Sequence, residues 1–290
     1  MDSENRTYRY LRDIEQALDL SLFRQEGDSD VLEAMRYSLL GGGKRVRGIL
    51  TLATCEMISG DSIAAMPAAC AIEMIHAYSL IHDDLPAMDD DDLRRGKPSC
   101  HIAFGQATAI LAGDALLTEA FNQLCRLECE RHVRQCVGML AQAAGFRGMV
   151  LGQQLDISSQ GKTLTPAQVS RMNSLKTGAL LRAAVQMGAE VAGADESQMK
   201  ALVTYADSLG VTFQIMDDIL DQTSDAAALG KPVGSDSRNQ KATTVSVLGI
   251  DKARTFAEKC TAQGNAALEK AFSRPDYLIE FANTLLHRKK

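Results

Sequence analysis

The chain has 290 residues, enough for one large core or two domains, with a net charge of −6, 46% apolar residues, 5% aromatics and no Trp. The acidic balance excludes a general basic footprint for nucleic acid. No apolar run reaches the ~18 residues of a membrane-spanning helix. The polar start MDSENRTYRYLRD has no signal-peptide core, so the expectation is a soluble cytoplasmic protein with its 7 cysteines reduced.

Helical periodicity dominates and strand-like alternation is scarce. Residues 30–40 (DVLEAMRYSLL) read as an amphipathic helix stopped by Gly41, Gly42 and Gly43. Two more helices are expected at 46–59 and 64–84, then a loop over 85–100 holding Pro86, Gly96 and Pro98. Long helical stretches follow at 103–127 and 130–157. Thr165-Pro166 pairs an N-cap with a proline at the first helical position and opens a helix towards Gly188. A helix over 195–222, a Gly/Ser/Asp/Lys-rich functional loop over 223–243, and helices at 251–271 and 275–287 complete the chain. With no linker and no short repeat, the expected architecture is all-α: one domain, 1–290, of ten or more helices around a central cavity.

Cys125, Cys129, His132 and Cys136 are spaced four, three and four apart, which fits one face of a helix. They read as a partly buried stripe, because structural zinc sites usually draw their ligands from separate turns.

Two aspartate clusters carry the chemistry. Asp83-Asp84-Leu-Pro-Ala-Met-Asp89 runs on through Asp90, Asp91 and Asp92, and Asp217-Asp218-Ile-Leu-Asp221 lies far along the chain. Carboxylates this crowded repel each other and are ill placed among apolar neighbours unless cations neutralise them. Hard oxygen ligands select Mg²⁺, which shares its remaining sites with water and substrate phosphates. Facing each other, the clusters would cage a diphosphate. His76, Ser79 and Asp83 share one helical face, and Pro86 disfavours helix at Leu85, letting the chain bring Asp89 back to the same metals. Asp90, Asp91 and Asp92 read as a solvated acidic run. In the second cluster Gln214, Asp217 and Asp221 share a face, and apolar Phe213, Ile215, Met216, Ile219 and Leu220 leave little surface for a merely exposed pair. Lys44, Arg45 and Arg47 follow the triple glycine, and Arg94 and Arg95 follow the acidic run. Two kinds of phosphate site are implied, one bridged by metal and one held by Lys, Arg and His alone.

The string HAYSLIHDDLPAMDDDDLRRGKPSCH, with GGGKRVRG before it and FQIMDDILD after it, resembles the trans-isoprenyl diphosphate synthases, most closely the bacterial farnesyl diphosphate synthases (geranyltranstransferases). The likeness covers essentially the whole chain, and GQQLD, LKTGAL and LGKPVGSD agree as well. It implies the isoprenoid synthase fold, a homodimer, and the condensation of isopentenyl diphosphate with dimethylallyl and geranyl diphosphate to (2E,6E)-farnesyl diphosphate. By matching position, Asp83, Asp89 and Asp217 are the expected Mg²⁺ ligands, with Asp221 in support, three ions bound and Mn²⁺ as an alternative. Arg94, Lys176 and Lys231 would hold the allylic diphosphate; Lys44, Arg47, His76 and Arg95 the isopentenyl diphosphate; Thr177 and Gln214 would line the reacting carbon. The released diphosphate is the expected base.

The family's Gly-Lys-Ser/Thr segment is Gln240-Lys241-Ala242-Thr243 here, which puts the loop geometry and the role of Lys241 in doubt, and Arg288-Lys289-Lys290 reads as a frayed tail, with closure over the metal-free diphosphate as the alternative. The alternatives are a geranyl or geranylgeranyl product, a class I terpene cyclase, or a silent subunit of a synthase heteromer. A cyclase needs no metal-free diphosphate pocket, and silent subunits lose acidic motifs. For product length, small Ser79 lies one turn, about 6 Å, below Asp83. Tyr78 is deeper and to the side as a floor, an arrangement that resembles enzymes stopping at fifteen carbons.

Overall fold

The computed structural model describes residues 2–22, 29–223 and 243–288. The architecture is all-α. Helix α4 (Met66–Asp83) is the central element, buried from Ala68 to Ile75 and again at Ala77, Tyr78 and Ile81. A one-turn 3₁₀ segment precedes it, and the combined stretch Ile63–Asp83 has mean hydropathy 1.3 and 61% burial. By length and composition this stretch could span a membrane, against the expectation that no run could. Its burial identifies it as the core helix instead. Each large apolar side chain it buries contributes ~1.5–3 kcal/mol.

Around α4 pack α3 (Val46–Ser59), α6 (Gln106–Leu124) and α10 (Ala179–Val191). Helix α11 (Glu196–Thr223) packs along α13 (Ile250–Ala271). A second apolar cluster of Ile215, Met216, Ile219, Val245, Ala253, Ala257 and Leu286 holds α11 to α12 (Thr244–Leu248), α13 and α14 (Asp276–His287). Helix α2 (Asp30–Leu39) lies against α6, and α1 (Ser3–Ser21), capped by Asp2, buries Tyr10, Ile14 and Leu18 against α3 and α4.

Several boundaries differ from the sequence reading. The stretch 103–127 is broken at Gly105, whose φ of 83° no helix accepts, into α5 (Cys100–Phe104) and α6. The stretch 130–157 divides between Gly145 and Gly148 into α7 (Glu130–Ala144) and α8 (Met149–Ser159). The helix opened by Thr165 runs as α9 (Pro166–Asn173), then widens into a π-turn over Ser174–Gly178 before α10. Such turns concentrate at functional positions. Within the loop 85–100, β1 (Leu93–Arg94) pairs with β2 (Lys97–Pro98). The cysteine stripe is not one helical face, because α6 ends at Leu124 and α7 starts at Glu130. Cys125 and Cys129 are exposed, Cys136 is buried, and His132 contacts Glu190 on α10 at 3.2 Å. The loop 223–243, with Lys231 and Lys241, lies outside the described residues save for Thr223 and Thr243 at its ends.

Candidate active site

The first aspartate cluster forms where α4 stops. Asp83 is the last residue of α4 and Asp84 its cap, so both carboxylates sit at the negative end of the helix dipole. After the Pro86 bend the chain folds back: the Asp89 N–H donates to the Asp83 carbonyl at 2.9 Å, and the Asp91 N–H to the Asp84 carbonyl at 3.2 Å. Asp89 thus returns beside Asp83, as the sequence implied. Burial, with Asp89 and Asp84 adding repulsion, pushes the Asp83 carboxyl up to about 6 although Lys176 and Arg94 pull the other way. Asp90 and Asp92 point into solvent. Asp84 does not join the open face: it is buried and accepts the Arg94 fork, with Nε at 3.0 and 3.1 Å from its two oxygens. Asp91 adds a second partner to Arg94 at 3.6 Å.

The hairpin then separates its two arginines. Arg95 and Gly96 both take positive φ, 55° and 76°, the pattern of a tight two-residue turn. The Arg95 guanidinium is carried onto the glycine loop, where a Cβ on Gly43 would lie 2.9 Å from it. In that loop Arg45 adopts φ 45° and caps α3. It is held by Glu15 at 2.6 Å, by the Leu39 carbonyl at 2.5 Å and by Glu73 of α4 at 3.7 Å, while Glu73 also accepts the Gly48 N–H at 2.8 Å. This buried anchor places Arg47 beside His76, while exposed Lys44 bears on Asp217. Arg47 is 9% exposed, and its Nε, buried, has no partner. Burial, reinforced by Arg47, Arg95, Arg45 and Arg94, holds the His76 imidazole well below its usual pKa, so it is neutral near pH 7. Arg45 and Arg94 are already paired with carboxylates, so Arg47 and Arg95 beside the neutral imidazole are the cations left to meet an anion.

On the opposite side, Gly152 lets α8 close on the π-turn; a Cβ there would lie 2.2 Å from the Lys176 amide nitrogen. The contact brings two α8 side chains into the site. Gln153 donates to Asp83, and Asp156 accepts from Lys176 Nζ at 2.5 Å. Thr177 donates to Gln214 at 3.1 Å, Gln214 donates to Asp218 at 2.9 Å, and Asp218 also accepts the Thr244 N–H that starts α12 at 2.9 Å. Buried Asp218 therefore orients Gln214, while Asp217 and Asp221, four apart, share one face of α11. The Asp217 side chain is partly exposed, yet burial still raises its carboxyl, countered by Arg288, Lys44 and Arg47. Arg288 is no frayed end: it donates to Asp217 at 2.5 Å and to the Phe213 carbonyl at 3.0 Å, and lies 4.7 Å over the Phe213 ring.

A match to the Polyprenyl synthetase family covers residues 28–274. The chain belongs to that family. It is a trans-prenyltransferase with the isoprenoid synthase fold. It is 49% identical over 245 residues to a farnesyl diphosphate synthase of Geobacillus stearothermophilus, covering 83% of this chain and 82% of that protein. It is 46% identical over 266 residues to a chloroplastic geranylgeranyl pyrophosphate synthase of Catharanthus roseus, covering 88% and 73%. The apo crystal structure of an FPP/GFPP synthase from Zymomonas mobilis superposes with a TM-score of 0.87 at 37% identity, covering 98% of both chains.

The structure brings together the expected Asp83 and Asp89, Lys176 with Thr177 and Gln214, and Arg47, His76 and Arg95. Gln153, Asp156 and Asp218 enter the site as well, and the signal for the first two is their spacing of three within GQQLD, which puts both on one helical face.

Proposed function

We propose that this prenyltransferase condenses isopentenyl diphosphate with dimethylallyl and then geranyl diphosphate to give (2E,6E)-farnesyl diphosphate. What carries the reading is the division of charge: a carboxylate face on α4 and α11 stands beside a basic pocket of Arg47, Arg95 and neutral His76. The donor set of Asp83, Asp89, Asp217 and Asp221 fits a hard divalent cation. Mg²⁺ is usually bound by one or two carboxylates, with substrate phosphates and water completing its shell. Raised carboxyl pKa values are what cation binding would relieve. When bound, Mg²⁺ or Mn²⁺ supplies electrostatic stabilisation of the departing diphosphate.

The protein's own groups do the rest. Arg94, Lys176 and, outside the described residues, Lys231 bind the allylic diphosphate while its carbon–oxygen bond breaks. Lys44, Arg47, His76 and Arg95 hold the isopentenyl diphosphate, which must keep its own. Thr177 and Gln214, tied to Asp218, line the carbon at which the isopentenyl double bond attacks the allylic cation. The released diphosphate then takes the proton. Arg94 and Lys176 reach their substrates by exchanging carboxylate partners, Asp84 and Asp156, for phosphate oxygens. Ile102, Ile110 and Leu111 leave an apolar face on α5 and α6 exposed at 51%, 44% and 54%, which supports a homodimer.

The likeness to a geranylgeranyl pyrophosphate synthase favours a second reading, the same chemistry carried to twenty carbons. Small Ser79 above large, buried Tyr78 favours fifteen. Incubation with labelled isopentenyl diphosphate and dimethylallyl diphosphate, followed by product chromatography, tests the proposal. Divalent-cation-dependent farnesyl diphosphate supports it, product formed in chelator overturns the metal assignment, and a dominant longer product overturns the assigned chain length.

A further inference from the structure

The Tyr78 ring does not stand alone on α4. His82, one turn above it on the same face, meets it edge-on, with ring centroids 5.8 Å apart and planes at 77°. His82 is itself fixed against α6: Nε2 lies 3.1 Å from the Ile110 carbonyl oxygen, and the ring fills the space that a side chain at position 113 would occupy. A Cβ on Gly113 would lie 2.1 Å from Nε2 and 2.5 and 2.8 Å from the next two ring atoms. Overlap this close means that His82 must leave its seat to admit any side chain at position 113. Gly113 is thus a socket, His82 the knob seated in it, and Tyr78 the ring resting on the knob.

We propose that His82, seated in the Gly113 socket, is a positioning residue for the chain-length floor, so that the His82–Gly113 contact sets how far the isoprenoid can grow. The proposal rests on the reading of Tyr78 as that floor. His82 immediately precedes Asp83, so the element that presents the carboxylate at the mouth also sets the depth of the cavity below it. Emptying the knob frees the Tyr78 ring to swing towards α6 and deepens the cavity. Filling the socket drives His82 off α6, pushes Tyr78 towards the cavity and makes it shallower. Opposite shifts from the two sides of one contact are not expected of residues that merely hold the fold.

The experiment is product analysis at excess isopentenyl diphosphate, read as the ratio of twenty- to fifteen- to ten-carbon products independently of total turnover. His82→Ala raises the twenty- to fifteen-carbon ratio between about twofold and tenfold, the range to which an edge-to-face ring contact converts. Gly113→Ala shifts product towards ten carbons. His82→Phe retains a ring against Tyr78 and keeps the parent distribution, even where total turnover falls. Tyr78→Ala is run beside them. If it lengthens product while His82→Ala and Gly113→Ala leave the distribution alone, the positioning role is wrong and the floor stands. If Tyr78→Ala also leaves it alone, the floor itself is wrong. If Gly113→Ala does not fold, the contrast between His82→Ala and His82→Phe still decides: equal distributions overturn the proposal.

Discussion

Replacing Arg47 with methionine removes one charge from the pocket assigned to isopentenyl diphosphate while keeping a long apolar stem. The side chain is 9% exposed, and the anions that bear on it are Glu73 and Asp217, with Arg95 opposing. A unit charge 4 Å from a phosphate oxygen is worth ~4 kcal/mol at an effective dielectric of ~20. Losing one desolvated partner of a charge pair typically costs about 2–5 kcal/mol. Isopentenyl diphosphate, titrated calorimetrically in chelator so that only the metal-free pocket is read, should therefore bind two to three orders of magnitude more weakly. A non-reactive allylic analogue with Mg²⁺ should bind almost as before. The stem keeps α3 packed, so an unchanged melting temperature accompanies the loss. If both ligands weaken equally in a variant of normal stability, the separation of the two diphosphate pockets is wrong.

His76→Gln should be mild, about threefold or less in the Michaelis constant for isopentenyl diphosphate, because a neutral donor replaces a neutral donor; a loss as large as that of Arg47→Met would mean the imidazole binds as a cation. Asp83→Ala and Asp217→Ala should each lower turnover about 10³-fold, a usual size for loss of transition-state electrostatics, while exposed Asp92→Ala stays within about twofold in the same steady-state assay. The Asp83 carboxyl, raised to about 6 by burial, disfavours its charge in the folded protein. Its effect on the metal-free protein is therefore a gain in stability as pH falls from about 6 towards 4, ~3 kcal/mol in full. Mg²⁺ needs the carboxylate, so melting curves should show the Mg²⁺-induced stabilisation fading below pH 6; a stabilisation independent of pH from 5 to 8 would place the ion elsewhere. Asp218→Ala should cost roughly 1–3 kcal/mol in denaturant unfolding, since it strands the Gln214 amide and the first N–H of α12; unaltered turnover in that variant would remove Gln214 from the reacting carbon.

The helical fold was legible because α2, α3, α4, α11, α13 and α14 each carry their own periodicity and stop signals, and their boundaries fall within a few residues of expectation. Breaks inside periodic runs were not. Gly105 ends one helix and starts the next without a turn cluster to announce it, and the π-turn at Ser174–Gly178 depends on α8 pressing against Lys176. Helix α1 was passed over because its polar residues hide a narrow stripe of Tyr10, Ile14 and Leu18. The Asp83–Asp89 return was readable from Pro86. Helical spacing and the resemblance single out Asp83 and Asp217 within the Asp-Asp pairs, but the inward partners, Arg94 for Asp84 and Gln214 for Asp218, come together only through packing. Arg288 read as a tail because nothing local fixes it. Its partners, Asp217 and the Phe213 ring, lie on α11, far back along the chain.

The most direct test of the account offers the unmodified protein excess isopentenyl diphosphate and Mg²⁺ with either geranyl or farnesyl diphosphate as the allylic partner. The account predicts rapid conversion of geranyl to farnesyl diphosphate and little or no elongation of farnesyl diphosphate. Comparable elongation of both, with twenty-carbon product accumulating, would contradict it.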